Sequence, residues 1–187
     1  VVLIYGKNGS RIRTLPFPDG LRNIRGLAVD PAGRIYLADF ATRRVAVMSA
    51  RGRRLPDLKL PEGPDRLPGK IVLDRTGNVY IADHSRLEVY VFDGKDGFVR
   101  TIAIGSGQRK ALSISDIAVD DDHIYVLDGR GSSVFVLDKA GNFVFAFGAR
   151  GSHRGQLASA SSIAAGEGKV GEGLLFVTDT NRQVVLV

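Results

Sequence analysis

An aspartate followed within two to five residues by an arginine recurs four times along this chain. Asp39 precedes Arg43 and Arg44, Asp83 precedes Arg86, Asp128 precedes Arg130 and Asp179 precedes Arg182. Two chemistries fit that pairing. The carboxylate can cap a loop by accepting backbone N–H groups while the arginine bridges to a neighbouring unit. Alternatively, arginines repeated around a symmetric body form a ring that grips an anionic ligand through bidentate contacts. His84 directly follows one of these aspartates, and Arg109, Lys110, Arg150 and Arg154 lie in Gly- and Ser-containing segments between the pairs.

Other chemistry has less support. His84, His123 and His153 form no H-x-x-x-H or H-E-x-x-H set, so no metal site is expected from them. Asp120-Asp121-Asp122 offers hard oxygen ligands but reads more simply as a polar hairpin turn. No serine sits in G-x-S-x-G, and the run Ile104-Gly105-Ser106-Gly107 lacks the G-K-[ST] of a phosphate-binding loop. With no cysteine, thiolate catalysis, disulfides and Cys-ligated metal centres are excluded. No cofactor is expected.

The 187 residues carry 26 Lys+Arg against 20 Asp+Glu, a formal charge of +6. This balance permits an anionic partner without requiring one. The 44% apolar share suits one globular domain. No apolar run approaches the ~20 residues of a membrane-spanning helix. Glycine, at 23 residues, exceeds its usual share of about 7% and points to many tight turns.

The elements that must position these residues are repeated. Gly26-Leu27-Ala28-Val29-Asp30 returns as Lys70-Ile71-Val72-Leu73-Asp74 and as Asp116-Ile117-Ala118-Val119-Asp120, with the closing aspartates 44 and 46 residues apart. Arg34-Ile35-Tyr36-Leu37-Ala38-Asp39 matches Asn78–Asp83, His123–Asp128 and Leu174–Asp179. Val45–Met48 matches Val89–Phe92, Val134–Leu137 and Val184–Val187, and Val2–Tyr5 is one more copy. Short Val-, Ile- and Tyr-rich runs bounded by Gly, Asp, Asn and Pro are strand signals, and no segment has sustained helical periodicity. Fourth strands fall at about 54–59, 98–103 and 143–147. Four antiparallel strands per ~45 residues predict an all-β propeller, whose blades stack because one sheet cannot bury both faces alone. The first strand of each blade, apolar nearly throughout, is expected to be buried on both faces.

These motifs resemble the NHL repeat, whose pattern G-[LI]-A-V-D, Gly turn, [RN]-[IV]-Y-[LI]-A-D runs through nearly the whole chain. Gly148–Leu157 looks like that family's glycine-rich connector, and Val177–Val184 is close to its consensus. The strands amount to a partial blade at 1–17, blades at about 26–60, 70–103 and 115–147, and a partial blade at 161–187. That makes 17 strands, not a multiple of four, so the ring is expected to be incomplete. The resemblance implies a six-bladed ring with about seven further strands, supplied by the rest of a longer chain or by another chain. Resemblance to bacterial envelope proteins of this type implies a periplasmic or extracellular setting.

One face of such a propeller gathers the connectors 17–25, 61–69, 104–114 and 148–160 and the loops 39–43, 83–87, 128–132 and 179–182. Arg43, Arg86, Arg130, Arg182, Arg109, Lys110, Arg150, Arg154 and His84 all fall there. The expected function is a non-catalytic binding or scaffold module whose basic loop face takes a protein or an anionic polymer. The resemblance also implies two alternatives: a single-stranded RNA-binding domain, for which the face offers only Phe17 and Phe40 as stacking aromatics, and a propeller lyase or lactonase with an axial metal.

Overall fold

The computed structural model describes residues 1–105, 111, 113–167, 173–181 and 184–186. Among these, the chain forms 17 strands and no helix. β1 (Val2–Tyr5) and β2 (Arg11–Leu15) pair alone. Blade 1 is β3 (Ile24–Val29), β4 (Ile35–Asp39), β5 (Arg44–Met48) and β6 (Arg54–Leu58). Blade 2 is β7 (Pro68–Leu73), β8 (Val79–Asp83), β9 (Glu88–Phe92) and β10 (Phe98–Ala103). Blade 3 is β11 (Asp116–Val119), β12 (His123–Asp128), β13 (Ser133–Asp138) and β14 (Phe143–Phe147). Blade 4 is β15 (Ala160–Glu167), β16 (Gly173–Asp179) and β17 (Val184–Leu186). Every pairing is antiparallel, and the first strands β3, β7, β11 and β15 touch in sequence to form the inner wall.

The period-2 alternation of each strand sends successive side chains into different cores. Tyr36 and Ala38 join Ile71, Ile81 and Phe92 between blades 1 and 2, whereas Leu37 and Met48 turn the other way onto Val2 and Leu15. Val91, Ile102, Ile117, Val126 and Phe135 fill the space between blades 2 and 3. Val134, Val136, Ile163 and Val177 do so between blades 3 and 4. Burying one such side chain stabilises the fold by about 1.5–3 kcal/mol relative to exposure.

Two inner strands depart from the expected two-sided burial: Ser161 and Ala164 of β15 are exposed, and so is one face of β3. Leu27 and Val29 of β3 are 51% and 53% exposed. The sheet on that side has only β1 and β2, and these pack over β4 and β5, leaving the outer face of β3 uncovered.

The face opposite the Asp–Arg loops is laced with ion pairs between blades. Arg34 binds Asp30 at 2.5 Å and reaches Asp96 of blade 2 at 2.6 Å. Lys139 of blade 3 binds Asp74 of blade 2 at 3.2 Å, and Arg75 binds Asp121 at 3.0 Å. Tyr80 and Tyr125 donate to the strand-closing Asp74 and Asp120 of their own blades, at 2.9 and 2.7 Å. Asp120–Asp122 is a hairpin turn, as the sequence indicates.

Candidate binding site at the axial mouth

The four loops that follow the second strands share one frame. Asp39, Asp83, Asp128 and Asp179 end those strands and are all but fully buried. A buried carboxylate is tolerable only when donors surround it, and here they do. Asp39 accepts the N–H groups of Arg22 (2.6 Å) and Asn23 (3.1 Å) from the incoming connector and of Ala41 and Thr42 from its own loop. Asp83 accepts from Leu67, Ser85 and Arg86 and from the Tyr90 hydroxyl. Asp128 accepts from Ser113 and Gly131, and Asp179 from Ala158 and Ser159. Burial alone would raise the Asp39 pKa, but the N–H donors outweigh it and hold the carboxyl below its ordinary range. The aspartates thus cap loops and tie each connector to its blade.

The arginines do not share a position in this frame. Arg43 is the fourth residue after its aspartate, in the left-handed conformation (φ 58°) that Leu87 and Ser132 adopt at the same place. Arg86 is the third residue after Asp83 and Arg130 the second after Asp128. Arg43 bridges to Asp65 of the next connector at 3.5 Å, while Arg86 binds Glu88 of its own blade at 3.2 Å. Arg130, Arg150 and Arg154 are exposed and have no carboxylate partner among the described residues; the same holds for Arg22 and Arg25. Arg109, Lys110 and Arg182 lie outside the described residues.

The blades do share the residue immediately after the aspartate: Phe40, His84, Gly129 and Thr180. The backbone N–H of Phe40, His84 and Thr180 donates to the connector carbonyls of Asn23, Leu67 and Ser159. At Gly129 the Ser115 hydroxyl takes that acceptor's place, at 3.2 Å. This position therefore forms an inner rim at the start of the inner strands. The Arg25 guanidinium stacks 4.1 Å over the Phe40 ring, and Phe40 meets His84 edge-on at 6.5 Å. Burial pushes the His84 pKa down. The Ile114 carbonyl and Asp83 oppose the shift, and Arg25 and Lys70 reinforce it, so the neutral imidazole is favoured.

A cleft of about 460 Å³ opens beside His84, lined by Ser113, Ile114, Ser115, Gly129, Arg130, Ala160 and Ser161. Below it, Asp116 ties three inner strands together. It accepts from the Ile163 N–H at 3.1 Å and from the Ser162 hydroxyl, and Lys70 stands 3.6 Å away. The connector serines, unremarkable in sequence, thus line the cleft. The signal that marks the rim is the residue one place beyond the repeated aspartate, rather than the arginine.

Among the described residues, no three His, Asp or Glu side chains stand where they could hold a metal ion, and no helix is long and apolar enough to cross a membrane. No protein-family model matches the chain, and no curated protein matches it in sequence. Solved structures do match in fold. Virginiamycin B lyase from Staphylococcus aureus superimposes with a TM-score of 0.67 at 14% identity over 98% of this chain and 61% of its own. A streptogramin B lyase gives 0.67 at 12% identity over 87% of this chain and 50% of its own. The computationally designed Ika4 protein gives 0.62 at 13% identity over 93% and 96%. This chain spans less than two thirds of the length of either lyase. At such identities the likeness is one of fold, and together with the stacked antiparallel sheets it identifies the chain as a β-propeller.

Proposed function

We propose that this propeller is a binding module whose loop face takes an anionic polymer or an acidic protein segment. One observation carries the reading. Arg22, Arg25, Arg130, Arg150 and Arg154 are exposed on that face without a carboxylate partner among the described residues; on the opposite face Arg34, Arg75 and Lys139 are each bound to one, although Arg51 and Arg53 are not. Unneutralised guanidinium groups on a rigid scaffold attract polyanions at long range and grip them at short range. The resemblance of the repeats to NHL modules, including those of bacterial envelope proteins, supports a binding role in the periplasm or outside the cell. RNA recognition by stacking is the weaker reading, because Phe40 is already covered by Arg25 and Phe17 is the only other aromatic on the face.

The lyase identity of two structural neighbours favours a second reading, an enzyme acting at the axial mouth with His84 as its base. The described residues do not assemble a metal-ligand set for such a reaction, so no step is derived through a metal.

Binding of heparin, followed by fluorescence anisotropy across a salt series, tests the leading reading. Replacing Arg22, Arg150 and Arg154 by glutamine is expected to weaken binding at least tenfold and to flatten the salt dependence. Equal losses from Arg51→Gln and Arg53→Gln on the opposite face would overturn it, since net charge alone would then explain the affinity.

A further inference from the structure

The cleft beside His84 has features that a merely charged surface lacks. Its hydroxyls differ in what they have left to offer. Ser113 donates to Asp128 at 3.0 Å and accepts the Arg130 N–H at 3.1 Å, so its proton is committed and it serves to fix the backbone from which Arg130 projects. Ser115 accepts the Gly129 N–H and keeps its own proton for another acceptor. Arg130 stands at the rim with five donors and no carboxylate among the described residues. A Cβ at position 129 would overlap the Ser115 hydroxyl, so the glycine is what lets Ser115 sit against this loop.

The charge around the cleft has one dominant sign. The charged groups facing His84 are Arg25 from β3, Lys70 from β7 and Asp83 from its own strand. Asp83 is consumed by the loop N–H groups and Tyr90. Among the described residues, Lys70 is offset only by Asp116 at 3.6 Å, and Arg25 only by the face of Phe40. Arg25 and Lys70 thus act on His84, while Arg130 and the hydroxyl-bearing Ser113, Ser115 and Ser161 line the cleft beside the apolar Ile114 and Ala160.

We propose that this cleft is a subsite for a single phosphate group, held by the Arg130 guanidinium and the Ser115 hydroxyl. The subsite rests on the reading of the loop face as anion-binding and narrows it to one position and one chemistry. A tetrahedral dianion satisfies several donors at once and matches the surplus of cations, whereas a neutral sugar or an apolar group would leave them unneutralised. His84 lines the cleft without being required as a ligand. It therefore reports occupancy: an anion beside it favours the imidazolium.

The test uses the whole chain and inorganic phosphate at constant pH and ionic strength, with the His84 ring proton followed by NMR. Saturable movement of that resonance is expected, together with an upward shift of the His84 titration midpoint of roughly half a unit to one unit. Arg130→Gln and Ser115→Ala are each expected to weaken phosphate at least tenfold while leaving the remaining spectrum in place. If phosphate leaves His84 unmoved while heparin still binds, the subsite is wrong and the wider face reading stands. Saturation that survives both substitutions would also overturn it, because the ion would then sit elsewhere. If phosphate saturates but heparin does not bind, the subsite is supported and the polymer reading falls.

Discussion

The imidazole of His84 occupies the space that a side chain at position 69 would need: a Cβ on Gly69 would overlap its Nε2 and Cδ2 atoms. Glycine is required there by close approach, since Gly69 is not among the residues of positive φ. Gly69→Ala must therefore displace either the imidazole or strand β7. The expected cost is about 1–3 kcal/mol, in line with other overpacked sites. Urea unfolding measures it, and a Gly69→Ala protein as stable as the parent would contradict this packing.

His84 also makes stability depend on pH. Its folded pKa is depressed below its ordinary value of 6.5 by burial first and by Arg25 and Lys70 next. Between the folded and unfolded values the unfolded chain binds more protons, so stability rises with pH across that window and is complete above about pH 6.5. Acidification from pH 7.5 to 5.5 is expected to lower the unfolding midpoint, and His84→Gln to remove that part of the slope. Unfolding at the two pH values, with and without the substitution, checks the sign.

Asp83 concentrates more donors than any single surface residue could. Asp83→Ala strands the Leu67, Ser85 and Arg86 N–H groups near a buried position and leaves the Tyr90 hydroxyl only its longer bond to Glu88 at 3.3 Å. Leaving buried donors unpaired costs about 1–3 kcal/mol each, less what water recovers, so a loss of about 3 kcal/mol is expected. Asp83→Asn retains part of the acceptor capacity and is expected to lose less. Calorimetry on the pair separates a capping role from a packing role, because only capping predicts a graded response.

On the opposite face, Asp74 and Asp120 are held below the ordinary carboxylate range. Burial opposes this in both. At Asp74 the donors that outweigh it are Thr76, Asn78 and Tyr80; at Asp120 they are Tyr125, His123 and Asp122. Depressed carboxylates stabilise the fold fully above their unfolded pKa, about 3.9, and lose that contribution as pH falls through the folded values. Steep acid unfolding below about pH 4 is expected, with Asp74→Asn less stable at neutral pH and less sensitive to acid. Circular dichroism against pH distinguishes this from a pH-independent loss.

The fold was legible because its physics is local. Val2–Tyr5, Phe98–Ala103 and Phe143–Phe147 read as strands from composition and bounding turns alone, and they are strands. The buried Asp39, Asp83, Asp128 and Asp179 were visible as a repeat, and the N–H donors that surround them fit the capping reading. The rim was less visible. Phe40, His84 and Gly129 have no chemistry in common, and only the shared backbone bond to the connector makes them equivalent. Nor does spacing along the chain reveal that Arg43 must take a left-handed backbone while Arg130 need not. The exposure of Leu27 and Val29 follows from the two-strand partial blade that the strand count places at 1–17, although the expectation of two-sided burial for each first strand did not allow for it.

Tyr36 leaves its strand toward one neighbour and Leu37 toward the other, so each full blade belongs to two cores and owns neither. Mechanically this is a row of dominoes leaning on one another: free energy resides in the joints, and a sheet removed from the row has almost none of its own. Loss of order then travels as a front that starts where a sheet has one joint instead of two. Among the described residues β1–β2 and blade 4 each share one such joint, with blades 1 and 3, whereas blades 1, 2 and 3 share two. Amide protection should be highest in the sheets that are gripped on both sides.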